Sequence, residues 1–320
     1  MSIFLYILSN NIIPIFFLII LGYILSKKFN FDINTLSKIN IYLYMPFFIF
    51  TQIYSTKMPD NMGRVLLFVI ILAVFNSIVS SLVAKIRKYD EGFKNAFINS
   101  IIFYNSGNIG IPLITLVFSS APFIVDGQTP YLTAALTTQI VVLIVQNIST
   151  NTVGFYNAGK GSMHWKDSVK SIFRMPAIYA IPTAFLLKLV PYNLENFPLW
   201  PAFNYLKEGL ISIALITLGA QLAKTKFAFN NKEVYISSFV RLIGGPIIAL
   251  IILKFINITG VSAQTLMISS ALPTAVNTAL IAVERKNHPD FASQAVMVAT
   301  LSSAVTLVLV VYISRIIFPV

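Results

Sequence analysis

Two helix-length apolar stretches of this chain are interrupted by polar and helix-breaking residues at corresponding places in two successive halves. The first interruption reads Tyr104-Asn105-Ser106-Gly107-Asn108-Ile109-Gly110-Ile111-Pro112-Leu113, and the second Ala271-Leu272-Pro273-Thr274-Ala275-Val276-Asn277-Thr278. In hydrocarbon, such a break frees backbone N–H and C=O groups that no water can satisfy. It survives only where protein buries it or where it lines a solvated cavity. Paired breaks in two halves point to a binding site near the bilayer midplane.

Composition says that hydrocarbon is the right solvent to consider. Of 320 residues, 57% are hydrophobic and 11% charged, and the mean hydropathy is +0.80. One soluble core could not hide that much apolar surface, so the expected class is an all-α polytopic membrane protein. The net charge of +12 falls in short runs between apolar segments, as membrane-flanking charge does. It forms no aromatic-interleaved patch for nucleic acid. The absence of cysteine excludes disulfides, thiolate metal sites and thiol nucleophiles. Lys27, the first basic residue, follows the first apolar stretch, so a retained span is expected rather than a cleaved signal peptide.

A span needs about 20 apolar residues. On that ruler ten spans are expected, at 3–25, 35–55, 62–84, 95–118, 130–153, 171–190, 205–223, 234–256, 262–283 and 291–317. Met45-Pro46 predicts a kink in the second, and the sixth carries Pro176 and Pro182. Sixteen of the 23 Lys and Arg residues lie in the connections after spans 1, 3, 5, 7 and 9. The positive-inside rule then puts both termini outside a plasma membrane and the basic loops, including the central one at 156–170, in the cytoplasm. The division gives two sets of five spans. Because five is odd, the second set enters from the opposite side, which is an inverted repeat. Gly107 and Pro273 lie at nearly equal distances along the two halves.

The Tyr44-Met45-Pro46 kink, the run Asn105-Ser106-Gly107-Asn108-Ile109-Gly110-Ile111-Pro112-Leu113, Arg241-Leu242 followed by Pro246, and Leu272-Pro273-Thr274-Ala275 resemble the auxin efflux carrier family. That family includes plant PIN proteins and bacterial malate and malonate permeases. The resemblance covers essentially the whole chain. It implies a fold similar to sodium/proton antiporters and bile acid transporters, with elevator-type alternating access. Scaffold helices would lie at 1–58 and 171–228, and mobile core helices at 59–155 and 229–320, with broken spans 4 and 9 crossing at the substrate site. It also implies a homodimer formed through the scaffold. The long hydrophilic central loop of many plant members is absent, so their loop-based phosphorylation control is not carried over.

The residues have chemistry of their own. Asn105, Asn108 and Pro112 are spaced to lie near one face of a helix, while Gly107 and Gly110 permit unwound backbone and close approach. Half-helix N-termini present N–H groups and a positive dipole end to an anion, and an Asn amide adds donors and an acceptor without a fixed charge. Pro273 and Asn277 share a face four residues apart, beside Thr274 and Thr278. Any one of these small or polar residues also suits plain helix packing; the run as a whole points to a site. Arg241 is the one basic residue well inside a span. It either faces inward as a counter-charge or snorkels to the interface about 10 Å away at 1.5 Å per residue. Asn76, Gln139, Gln146 and Asn147 are secondary candidates, for which interhelical hydrogen bonding is the competing role.

Absences shape the energetics. Glu208, in span 7, is the only carboxylate within a span, and Glu284 falls just past the end of span 9, so a proton relay of the antiporter kind is not expected. No phosphate-binding loop and no cofactor is expected. His164 and His288 read as loop residues, and the clusters an enzyme would need are missing. The expected function is secondary transport of a small organic anion such as malate or malonate. The alternatives are a sensor built on a carrier fold and an efflux carrier for an auxin-like aromatic acid. Sodium or proton coupling is left open.

Overall fold

A computed structural model of the chain describes residues 3–56, 61–159, 176–225 and 230–320. Among the described residues the structure is helical, with only isolated bridges in place of strands. The helices are α1 (Ile3–Phe29), α2 (33–55), α3 (Met62–Ile86), α4 (Glu91–Ile102), α5 (Ser106–Phe118), α6 (Leu132–Ala158), α7 (Pro176–Lys188), α8 (Trp200–Lys224), α9 (Lys232–Phe255), α10 (Gly260–Ser270), α11 (Val276–Glu284) and α12 (Pro289–Ile317). Six of them, α1, α3, α6, α8, α9 and α12, are long and apolar enough to cross a membrane unaided. The chain is therefore a multi-pass membrane protein.

Most helices run a few residues past the apolar stretches because polar caps lie beyond the last apolar side chain. The Asp90 carboxylate accepts from the Phe93 N–H at 3.0 Å to start α4, and Asp32 accepts from Asn34 at 3.1 Å to start α2. Asn30 closes α1 in the left-handed region (φ 51), a conformation Asn tolerates well. The start of span 6 at 171–175, most of the central loop (160–170), and the basic residues Lys57, Lys160, Lys166, Lys170, Arg174 and Lys226 lie outside the described residues, as does His164.

Four helices contain a π turn placed just before a proline. The turns are Leu8–Ile12 before Pro14, Asn40–Tyr44 before Pro46, Ser106–Gly110 before Pro112 and Val240–Gly244 before Pro246. The cause is steric. A proline lacks an N–H and its ring collides with the carbonyl four residues back, and widening the preceding turn relieves both without ending the helix. The kink expected at Met45-Pro46 takes this form. Two of these widened turns, in α2 and α5, face each other: Asn40 Nδ2 donates to Asn108 Oδ1 at 3.1 Å.

Packing then fixes what surrounds them. The most extensive contacts of α1 are with α8, and those of α2 are with α7 and α8. A Cβ on Gly22 or Gly219 would fall on backbone atoms of Ile216 or Ile19, so α1 and α8 meet backbone to backbone as small residues allow in lipid. Elsewhere α10 lies against α6 and α12, and α3 against α4, α6 and α9. The buried apolar cluster runs through both groups. Long rows of Leu, Ile, Val and Phe on α1, α3 and α12 stay exposed, as suits contact with acyl chains.

Candidate functional site

The two interruptions meet. Asn105 N–H donates to Pro273 C=O at 2.8 Å and Ala275 N–H to Phe103 C=O at 3.0 Å, which pairs Tyr104 with Thr274 as an antiparallel bridge. Each break thus satisfies backbone groups that the other exposes. Thr274 Oγ1 adds a bond to Ser100 C=O at 2.7 Å. Gln139 of α6 donates to Ser106 C=O at 2.8 Å and accepts from Ser269 Oγ, and Gln146 accepts from Tyr104 N–H at 3.2 Å.

Arg241 completes the crossing. It is fully buried, so it does not snorkel. One guanidinium nitrogen donates to Ile101 C=O at 2.6 Å and another to Ser270 C=O, in the last turns of α4 and α10. Its plane lies over the Tyr104 ring, 4.8 Å from the centroid, a cation–π contact. A cation therefore sits where two helix dipoles end negatively. The opposite ends, the N-termini of α5 and α11, are left to face elsewhere.

They face a cavity with about 850 Å³ of empty space, its mouth included, lined by Asn105, Ser106, Gly107 and Asn108 from the start of α5, and by Ala275, Val276, Asn277 and Leu280 around the start of α11. Ser37, Asn40, Ile41 and Met45 of α2, Thr217 and Gln221 of α8, and Leu143, Gln146, Asn147 and Thr150 of α6 close the rest with Tyr104 and Pro176. None of these residues is charged. Five polar atoms of residues on this wall are buried and without a partner among the described residues: Asn40 Oδ1, the Tyr104 hydroxyl, Asn105 Nδ2, Thr217 Oγ1 and Gln221 Oε1. Native proteins rarely leave such atoms unpaired, and here the residues that carry them line one space. A second cavity shares Gln221, Val276 and Leu280 with the first and continues to Lys224 and Asp290, where α8 ends and α12 begins.

The sequence-derived candidates separate into two groups. Asn105, Gly107, Asn108, Asn277, Gln146 and Asn147 line the cavity. Gly110, Pro112, Pro273, Thr274, Arg241 and Gln139 stand behind it and hold the crossing together. A Cβ at Gly110 would strike the Gln139 amide and approach Leu272 Cδ1 at 2.9 Å. Asn76 lies buried in α3, away from the cavity, with neither side-chain polar atom paired. Sequence reasoning missed Asn40, Tyr104, Thr217 and Gln221 as wall residues. Signals existed for three of them: Asn40 lies one turn and a half before Pro46, and Thr217 and Gln221 are a polar pair four apart in an apolar span. Among the described residues no group of three or more His, Cys, Asp or Glu could hold a metal ion.

Comparison with known proteins gives a consistent picture. The family described as membrane transport protein matches residues 7–162 and 162–311. An uncharacterized transporter of Methanothermobacter thermautotrophicus is 25% identical over 312 residues, covering 93% of this chain and 96% of its own length. The uncharacterized transporter MJ1031 of Methanocaldococcus jannaschii is 22% identical over 280 residues, 84% of this chain and 87% of its own. The uncharacterized transporter YfdV of Escherichia coli K12 is 26% identical over 184 residues, 55% and 58% respectively.

Proposed function

The chain belongs to the membrane transport protein family that includes the auxin efflux carriers, and we propose that it carries a small organic anion, a carboxylate such as malate or malonate, by alternating access at the crossover cavity. One observation carries this reading: five residues with unpaired polar atoms and the first turns of two half-helices line a single space, and among the described residues its wall bears no carboxylate. An anion gains from both dipole ends there, and Arg241 adds positive potential from behind Tyr104 without the desolvation that direct pairing would require.

Asn105, Gly107, Asn108 and Asn277 would contact the cargo, while Gly110, Pro112, Pro273, Thr274 and Arg241 would hold the geometry. The helices are read as two inverted repeats of five spans, with scaffold at 1–58 and 171–228 and moving core at 59–155 and 229–320. The preference of α1 and α2 for α8 and α7 supports that division, as does the position of the cavity between α2 and α8 on one side and α5, α6 and α11 on the other. With the basic loops cytoplasmic and the termini outside, the second cavity is the cytoplasmic vestibule of an inward-open state, ending near Lys224. The scaffold helices would also form a homodimer.

A screen of mono- and dicarboxylates for thermal stabilisation of the purified protein tests this. Carboxylates are expected to raise the melting temperature of the wild type and not of an Asn105→Asp variant. Stabilisation by neutral analogues alone would overturn the anion assignment.

A further inference from the structure

A third concavity lies far from the crossover, between the end of α3 and the start of α4, with about 1020 Å³ of open space. Ile78 and Leu82, one turn apart on α3, form an apolar wall that is about half exposed. Ser77 and Ser81 lie on the adjoining stripe, and Lys85, Lys88 and Lys94 stand at the rim. Among the described residues none of these three lysines is in an ion pair. The ion pairs among the described residues are Arg87 with Glu233 and His288 with Asp90. Among the described residues no carboxylate lines the groove: Glu233 also accepts from the Tyr89 hydroxyl, Asp90 caps the Phe93 N–H, and Glu91, in the first turn of α4, stands outside the lining.

The local fold holds the lysines in place. Lys88 takes the left-handed conformation (φ 57) that ends α3, and Tyr89 N–H returns to Ala84 C=O at 3.1 Å. The Tyr89 ring packs on Phe93 with centroids 4.8 Å apart, which joins the two walls. Burial, followed by the bond to Glu233, pushes the Tyr89 hydroxyl up to about 12, so it stays neutral and adds no negative charge. An apolar helix face open to acyl chains, two hydroxyls and three uncompensated ammonium groups at the membrane edge match one ligand chemistry.

We propose that this groove is a binding site for an anionic phospholipid, with the phosphate head group at Lys85, Lys88 and Lys94 and an acyl chain along Ile78 and Leu82. Basic pockets between helices on the cytoplasmic side suit such head groups, and a Lys near an anionic lipid surface contributes about 1 kcal/mol, or roughly fivefold. The site goes beyond solute transport and does not depend on which solute is carried.

Native mass spectrometry of the full chain, purified and exposed to an equal mixture of phosphatidylglycerol and phosphatidylcholine, tests it. The wild type should retain phosphatidylglycerol preferentially, and the combined variant Lys85→Gln, Lys88→Gln, Lys94→Gln should lose about a hundredfold of that preference. Lys94→Gln alone should lose about fivefold, which keeps the test available if the triple variant does not fold. A control with Lys27→Gln, Lys28→Gln and Lys38→Gln should retain the preference. Equal retention of both lipids by the wild type, an equal loss in the control, or displacement of the lipid by millimolar inorganic phosphate would each overturn the proposal.

Discussion

Removing Arg241 would strip the carbonyls of Ile101 and Ser270 of their donors at once. With about 1–3 kcal/mol for each buried carbonyl left unpaired, Arg241→Ala should destabilise the fold by roughly 2–6 kcal/mol and abolish binding of every ligand, charged or neutral. Arg241→Lys should restore only part of the stability, because one ammonium cannot bridge both carbonyls and stack on Tyr104 as a planar fork does; thermal unfolding of the three proteins checks both expectations. Asn105 is the opposite case. Its side chain caps the Asn108 N–H at 3.1 Å, its amide nitrogen has no partner among the described residues, and the residue lines the cavity. Asn105→Ala should cost about 1 kcal/mol of cap stability and about ten- to a hundredfold in anion affinity, measured by titration calorimetry. Asn105→Asp keeps an acceptor for the cap but places a carboxylate on the wall, so it should fold like the wild type and reject anions. The sequence marked both residues as unusual. It could not separate a wall residue from a buried brace, because that distinction depends on which carbonyls end beside Arg241, a fact of the crossing and not of local spacing.

At the scale of helices, proline placement and glycine contact govern the shape of the site. Pro46→Ala would restore an N–H and remove the collision that widens the Asn40–Tyr44 turn. The α2 turn should then tighten and swing Asn40 away from Asn108. Transport should fall while the melting temperature holds or rises. The two glycine types should also part. Gly219→Ala places a methyl on the Ile19 backbone, which cannot yield, and should cost about 1–3 kcal/mol. Gly107→Ala meets only the ends of Leu143 and Met45, each at 3.3 Å, and should fold normally. Parallel thermal unfolding distinguishes them. Helix positions were legible from hydropathy, and the breaks from Gly, Pro and Asn. The π turns were not, since a Pro in an apolar run signals a kink without saying whether the helix breaks or widens.

On the scale of the whole molecule, alternating access requires the α2–α8 side of the cavity to move against the α5–α11 side. Asn40 and Asn108 touch across that boundary at 3.1 Å, and the chain has no native cysteine. An Asn40→Cys, Asn108→Cys pair bridged by a short bis-methanethiosulfonate should therefore lose transport, and reduction should restore it to the level of the untreated pair. The pairing of the two breaks could be anticipated from their matching positions in the two halves. The contribution of α2 and α8 to the wall could not, because their polar residues are few and scattered among apolar ones. Carriage of an anion across the membrane through this cavity is measured by flux of a labelled carboxylate in proteoliposomes with equal substrate on both sides and an imposed potential. A term of about 2.3 kcal/mol per charge per 100 mV should drive net, saturable movement toward the positive side, and Asn105→Asp should reduce it to the level of protein-free vesicles. Flux that ignores the potential and strictly follows a sodium gradient, or that persists unchanged in Asn105→Asp, would rule out potential-driven anion transport at this cavity.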